Sequence, residues 1–245
     1  MFKTKALVLA LTATLAAAIG AASGSDMNAE SAAEQQAENL NQRVGELVAQ
    51  LRKSREAIKQ YEWIETTTVF LRGEQKTQFE KRCYYGADDK VEKIMLTEPA
   101  PAERKRGLRG MIMQRKKQEM SDEMRSAVGI VHDYVPPTHE RIEACKDAGN
   151  ASIDVLDPGK RVRLSFKDYK VPGDKLSIEI DLTNNRPTKL SISSFLDSPS
   201  KPLNCDVKFG TLDDGTTYAE ETTLNLEKQE LKVVVENSGY RKQQQ

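Results

Sequence analysis

Strict alternation of apolar and polar residues is the feature of this sequence that most constrains its fold. Three runs show it most clearly, with polar residues between the apolar ones: Val162, Leu164 and Phe166; Leu176, Ile178, Ile180 and Leu182; Leu203, Cys205, Val207 and Phe209. Successive side chains of a strand point to opposite faces, so each run predicts a strand with one buried face and one wet face. Antiparallel sheets allow that arrangement.

Turn residues separate these runs from further segments of the same period. Three strands are predicted at 61–71, 77–85 and 90–96, and seven more lie between residues 151 and 235. Pro158-Gly159, Pro172-Gly173, Asn184-Asn185 and Asp213-Asp214-Gly215 mark turns between them. A sheet of ten strands should curl. We therefore predict an α+β fold whose main element is a curved antiparallel sheet, a half-barrel spanning residues 61–240.

A heptad-like stripe precedes the strands and predicts a long amphipathic helix over residues 25–60. Its apolar positions are Ala33, Ala37, Leu40, Val44, Leu47, Leu51, Ile58 and Tyr61. One interpretation is a coiled-coil dimer, and the other is a helix that packs on its own domain. We favour the second, because the first part of the stripe is alanine and offers a partner helix little to bury.

Helical spacing returns in an insertion at residues 109–148. One stripe carries Met113, Met120, Met124, Ala127, Val131 and Tyr134. Pro136 and Pro137 end this helix, and Thr138 is a candidate cap for a second helix at 140–148. Methionine is flexible and polarisable, so a methionine stripe can adapt to varied apolar ligands, although at this spacing it also occurs in ordinary cores.

The N-terminus has the pattern of a secretory signal peptide. Lys3 and Lys5 precede an uncharged, mostly apolar run at residues 6–18, and small residues follow up to residue 24. A membrane span needs roughly 20 apolar residues, and this run is shorter. We therefore predict that residues 1–24 are a signal peptide and that the product is periplasmic or secreted and does not span the membrane.

Composition and motifs argue against several functions. Lys and Arg number 37, as do Asp and Glu, and this balance is not that of a nucleic-acid binder. The basic run 104–117 contains no aromatic residue that could stack on bases, and we interpret it as a solvated loop and helix face. His132 and Asp133 are neighbours on a helix and do not face each other. We predict no enzyme, no metal site and no cofactor.

Three cysteines, Cys83, Cys145 and Cys205, allow at most one intramolecular disulfide and leave at least one thiol unpaired. Their spacing contains no CxxC pair, so redox catalysis is not expected. Cys83 and Cys205 fall on apolar faces of predicted strands, which favours a structural role for both.

The order of elements, together with the segment 179–192, resembles the LolA/LolB-like fold of periplasmic lipoprotein carriers. Asp181, Asn184, Pro187 and Leu190 recur there at three-residue intervals, and the resemblance covers roughly residues 61–240. The chain equally resembles uncharacterised secreted bacterial proteins that have the same order of elements. The carriers are shorter and have a less basic connector before the insertion. The resemblance implies an incomplete barrel with helices across its concave face.

We therefore predict a non-catalytic envelope protein that binds a lipid, an acyl chain or another apolar ligand, with a lipid or lipoprotein as its partner. The residues expected to contact the ligand are Tyr61, Trp63, Met113, Met120 and Met124. The alternative is an interaction protein that self-associates or docks through its N-terminal helix. The sequence leaves the ligand and the oligomeric state open.

Overall fold

The computed structural model describes residues 46, 49–97 and 108–243, without the side chains of residues 108–110 and 113. The predicted signal peptide and most of the predicted N-terminal helix lie outside the described residues. So does most of the connector that leads into the helical insertion.

The described residues form one antiparallel sheet of ten strands, as the alternation predicted. The strands are β1 (Tyr61–Leu71), β2 (Glu74–Tyr85), β3 (Val91–Met95), β4 (Ala151–Asp157), β5 (Arg161–Lys167), β6 (Lys175–Asp181), β7 (Arg186–Phe195), β8 (Pro202–Thr211), β9 (Thr217–Leu226) and β10 (Leu231–Lys242). From β4 to β10 each strand pairs with the next, and β1 then pairs with β10 and leads through β2 to β3. The sheet is open, with β3 and β4 at its edges.

The two faces of the sheet differ in polarity across seven of its ten strands. One row of paired positions across seven strands is Val69, Val233, Leu224, Cys205, Ile192, Leu176 and Phe166. The neighbouring row, on the opposite face, is Thr68, Val234, Thr223, Asp206, Ser191, Ser177 and Ser165. We call the first the inner face and the second the outer face.

Three helices accompany the sheet: α1 (described over residues 49–58), α2 (Leu108–His132) and α3 (His139–Asp147). A short 3-10 turn, Glu227–Gln229, joins β9 to β10. In α1, Ser54 is buried, and its Oγ accepts the backbone N–H of Thr217 at 3.0 Å. The described end of the N-terminal helix therefore contacts the start of β9, and the alanine part of its predicted stripe lies outside the described residues.

The predicted side-chain cap of α3 is wrong. Thr138 takes the N-cap position in an extended conformation, but its side chain makes no capping hydrogen bond. Its backbone N–H instead donates to the hydroxyl of Tyr169 at 3.0 Å, so a tyrosine from the β5–β6 connection holds the start of the helix.

Contacts of α2 place its middle at the end of the sheet where β1 ends. Glu123 accepts hydrogen bonds from Lys201 Nζ at 3.1 Å and from Gln229 Nε2 at 2.9 Å, and both partners lie in connections at that end. Ala127 is fully buried, whereas Met111 and Ile112 are 69% and 59% exposed. None of the helices within the described residues is long and apolar enough to cross a membrane.

Candidate ligand-binding site

The inner face is closed over the middle of the sheet and open towards β3. From β5 to β9 most of its apolar side chains are buried: Val162, Leu164, Phe166, Leu176, Ile178, Ile180, Leu190, Ile192, Leu203, Cys205, Val207, Leu224 and Leu226. On β10, β1 and β2 burial is partial, with these side chains half-buried: Val69, Phe79, Val233 and Val235. Others on the same strands are buried: Tyr61, Trp63, Cys83 and Leu231. Large apolar patches left accessible on a soluble protein mark interaction or ligand sites. We call the inner face of β10, β1, β2 and β3 the open half.

The edges of the sheet expose the largest part of this apolar surface. On β3 the inner-face side chains Val91 and Met95 are 39% and 46% exposed. On the other edge strand, β4, Ile153 and Val155 are 49% and 64% exposed. On the β4 side the rings of Tyr134, Tyr169 and Phe166 pack together, and Tyr134 is hydrogen-bonded to the buried Asp174. On the β3 side an aromatic cluster adjoins lysine side chains that remain accessible, so we place the candidate site there.

Five aromatic side chains meet where β1 begins, and we call them the aromatic cluster: Tyr61, Trp63, Tyr85, Tyr218 and Tyr240. The rings of Trp63 and Tyr240 stack with centroids 5.6 Å apart, and Tyr85 lies against Trp63 at 5.9 Å. Tyr218 approaches Tyr240 at 4.5 Å, and Tyr61 meets Tyr240 edge-on at 6.4 Å. Such pairs contribute about 0.5–1.5 kcal/mol each beyond the area they bury.

Backbone and side-chain contacts fix the orientation of these rings. Trp63 Nε1 donates to Asn237 Oδ1 at 3.0 Å, and Asn237 Nδ2 donates to the carbonyl of Ala219 at 2.9 Å. At Gly210, an added Cβ would lie 2.7 Å from the ring of Tyr218. A glycine is therefore needed on β8 for Tyr218 to reach Tyr240.

Tyr61 also joins the cluster to the β8–β9 turn. Its hydroxyl donates to Asp214 Oδ2 at 2.6 Å. This hydrogen bond, with a smaller effect of burial, raises the pKa of Tyr61 to about 12. The same bond, followed by those from Thr216, lowers the pKa of Asp214 to about 2. Both shifts favour the neutral tyrosine and the ionised carboxylate, which are the forms that make the bond.

A group of charged side chains lies on the inner face beside the aromatic cluster. Glu65 follows Trp63 on the inner face of β1 and, although it is charged, is only 8% exposed. Lys93 Nζ, from β3, donates to Glu65 Oε2 at 2.5 Å, and Lys81 Nζ, from β2, lies 3.9 Å from Glu65 Oε1. We call these three residues the ion cluster. They carry two positive charges and one negative charge.

Four of the five residues predicted to contact a ligand are described with their side chains, and they lie at two ends of the sheet. Tyr61 and Trp63, both 8% exposed, belong to the aromatic cluster at the start of β1. Met120 and Met124 are half-buried on α2, whose contacts lie near the end of β1. From Trp63 to the end of β1 the strand rises about 26 Å. The side chain of Met113 lies outside the described residues.

Sequence reasoning missed the ion cluster and two members of the aromatic cluster, Tyr218 and Tyr240. A signal for Glu65 and Lys81 was present, because both occupy the apolar phase of their strands, next to Trp63 and Phe79 respectively. A charged residue in the buried phase of a strand is unusual and needs a partner. No comparable signal existed for Tyr218 and Tyr240, which are brought to Trp63 by pairing between distant parts of the chain.

The outer face carries a different, polar pocket behind the same strands. It has a volume of about 410 Å³ and is lined by Glu62, Arg82, Tyr84, Arg241, Lys242 and Gln243. Glu62 forms an ion pair with Arg241 and lies 3.9 Å from Arg82. The outer face is therefore polar where the inner face is apolar.

All three cysteines are free and buried. Burial raises the pKa of Cys205 to about 12, and burial followed by the nearby charge of Glu65 raises the pKa of Cys83. These shifts keep the thiols protonated and unreactive. Among the described residues, no group of three or more His, Cys, Asp or Glu side chains is placed to hold a metal ion.

Comparisons with known proteins return matches in structure alone. No protein-family model and no curated protein sequence matches the chain. A LolA superfamily protein from Nitrosomonas europaea aligns over 81% of this chain and 94% of its own, with 11% identity and a TM-score of 0.36. A DUF1329 family protein from Desulfovibrio piger aligns over 80% and 90%, with 9% identity and a TM-score of 0.36.

A third structure is described as an outer membrane lipoprotein-sorting protein domain from Vibrio parahaemolyticus. It aligns over 79% of this chain and 91% of its own, with 11% identity and a TM-score of 0.34. The superfamily that the sequence resemblance predicted is thus among these neighbours. At TM-scores below 0.5 the likeness carries no argument about what this chain does, and the proposals below are argued from its own residues.

Proposed function

We propose that this protein binds an apolar ligand, such as a lipid or an acyl chain, on the open half of the inner face and has no catalytic role. The observation that carries the proposal is a gradient along one face. Most apolar side chains are buried from β5 to β9, four of those from β10 to β2 are half-buried, and Val91 and Met95 on β3 are exposed. Covering that surface with a ligand would stabilise the complex by about 25 cal/mol for each Å² of apolar area removed from water.

The shape of the accessible surface suits an elongated ligand. Val233 and Val69 lie side by side on β10 and β1, and Phe79 and Met95 continue the surface towards the edge. The aromatic cluster closes one end, and α2 contacts the sheet near the other through Glu123. An acyl chain that follows the strands would meet Trp63 at one end and Met120 or Met124 at the other.

The location and the partner follow from the same proposal. The predicted signal peptide would carry the chain out of the cytoplasm. A binder of apolar ligands would then work in the cell envelope. A lipid or lipoprotein cargo would agree with the accessible apolar surface beside β3.

A matched pair of variants on β10 tests this proposal. Val233 lies on the inner face and the adjacent Val234 on the outer face, and both are half-buried. Replacing each with aspartate in turn introduces the same charge on opposite faces. We expect Val233→Asp to weaken binding of an environment-sensitive fatty-acid probe by at least tenfold and Val234→Asp to leave it near wild type.

Urea unfolding of both variants controls for stability, because either charge costs free energy in a half-buried position. Equal loss of binding in the two variants at equal stability would contradict the proposal. Solvent extraction of the mildly purified wild type gives a second readout, since a lipid binder should release lipid. A chain that yields no lipid but loses an oligomer on deletion of residues 26–58 would be an interaction protein instead.

A further inference from the structure

The ion cluster points to the charge of the ligand. We propose that Lys81 and Lys93 hold the single negative group of an amphiphile, with a fatty-acid carboxylate as the simplest case, while its chain lies on the open half. This inference rests on the proposed function and adds to it the chemistry of the headgroup. Two ammonium groups face one carboxylate in the ion cluster, so one positive charge is left for a ligand to neutralise.

Burial assigns different roles to the three residues. The side chain of Glu65 is 11% exposed, and a carboxylate so placed on an apolar face is costly unless it is paired. The side chains of Lys81 and Lys93 are 24% and 42% exposed. Glu65 therefore holds the two lysines over the inner face, and the groups that remain accessible there are positive.

The neighbours of the lysines are apolar. In the strand register Lys81 pairs with Met95 and Lys93 pairs with Cys83, while Lys81 Nζ also lies 4.9 Å from the centre of the Phe79 ring. An ion without a chain would use the charge but none of this surface. An amphiphile with one negative charge would use both, which is why we favour it over a free anion.

The emission of Trp63 provides a direct readout, because it is the only tryptophan in the chain and adjoins the ion cluster. The full-length mature protein would be titrated with dodecanoic acid, dodecanol and sodium acetate at neutral pH. We expect the acid to bind about tenfold more tightly than the alcohol, and acetate to cause no saturable change. A tenfold difference in affinity is about the effect expected of one charge-assisted hydrogen bond at a partly exposed site.

Two substitutions on neighbouring positions of β2 isolate the charge on the inner face. Lys81→Met removes a cation from the inner face, and Arg82→Met removes one from the outer face of the same strand. We expect Lys81→Met to weaken binding of dodecanoic acid about tenfold and to leave dodecanol unchanged. Arg82→Met should leave both affinities unchanged. Thermal unfolding of both variants checks that the sheet persists.

Glu65→Gln tests the role of the carboxylate. Removing its charge leaves Lys81 and Lys93 without a resident counterion, so dodecanoic acid should bind more tightly while dodecanol is unaffected. A purely structural ion pair would not produce that difference between the two ligands. If Glu65→Gln does not fold, the comparison of Lys81→Met with Arg82→Met still decides the question.

The outcomes separate the two proposals. Equal affinity for acid and alcohol in the wild type, or equal effects of Lys81→Met and Arg82→Met on the acid, would overturn the headgroup inference and leave the proposed function standing. Saturable binding of acetate would indicate a site for free anions and would also overturn it. If neither amphiphile binds, the proposed function fails and the inference falls with it.

Discussion

Among single residues, Tyr61 and Asp214 form the contact that ties the aromatic cluster to the β8–β9 turn. The folded-state pKa of Asp214 is about 2, below its ordinary value of 3.8. A carboxyl group with a depressed pKa contributes stability that is present above its unfolded pKa and is lost as the pH falls through the folded one. The contribution of Asp214 should therefore disappear between about pH 4 and pH 2.

The substitution Tyr61→Phe removes the hydroxyl that has the largest effect on Asp214. We expect the pKa of Asp214 to rise towards 3.8 without reaching it, because the hydrogen bonds from Thr216 remain. Carboxyl carbon chemical shifts followed by NMR between pH 1.5 and 6 would measure the change. Tyr218→Phe is the control, since Tyr218 belongs to the same cluster but makes no hydrogen bond to this carboxylate. An unchanged pKa of Asp214 in Tyr61→Phe would show that the hydrogen bond between Tyr61 and Asp214 does not form in solution.

Part of the aromatic cluster could be predicted from the sequence pattern of single strands. Tyr61 and Trp63 were expected on the inner side because they share the phase of the apolar residues on β1. Tyr240 was not predictable as their ring partner, because it reaches Trp63 only when the last strand pairs with the first. That pairing joins segments more than 150 residues apart, and no local period records it.

At the level of secondary structure, the strands were predictable and the placement of the helices was not. Alternation and turn residues locate a strand locally: β1 begins at the predicted residue, and β5 and β6 begin one residue before the predicted apolar runs. The position of α2 depends on contacts made by Glu123 with two distant connections, at Lys201 and Gln229. Its methionine stripe indicated an apolar face without indicating which end of the sheet that face would meet.

The half-buried face of α2 gives an element-level prediction. Met120→Asp would introduce a charge where α2 meets the proposed ligand, and an unpaired carboxylate there is costly. We expect binding of the fatty-acid probe to fall at least tenfold, while far-ultraviolet circular dichroism keeps the signal of the sheet. Lys116→Ala, on the exposed part of the same helix, should change neither quantity. Unaltered probe binding by Met120→Asp would remove α2 from the site.

For the whole molecule, the account depends on one asymmetry of a single sheet. The same ten strands bury their inner face in the middle and leave it accessible at both edges, and towards β3 the aromatic cluster and the ion cluster adjoin the accessible part. The outer face carries mostly polar residues along the corresponding row of paired positions. A ligand on the open half would cover the apolar side chains that the chain itself leaves accessible.

Energy transfer from Trp63 to a bound polyene fatty acid tests this claim most directly. Trp63 is the only donor of its kind in the chain and lies on the inner face within the aromatic cluster. The account predicts saturable binding to the wild type, with quenching of Trp63 and sensitised emission from the fatty acid that both decrease when dodecanoic acid is added. Absence of saturable binding, or binding without energy transfer from Trp63, would contradict it.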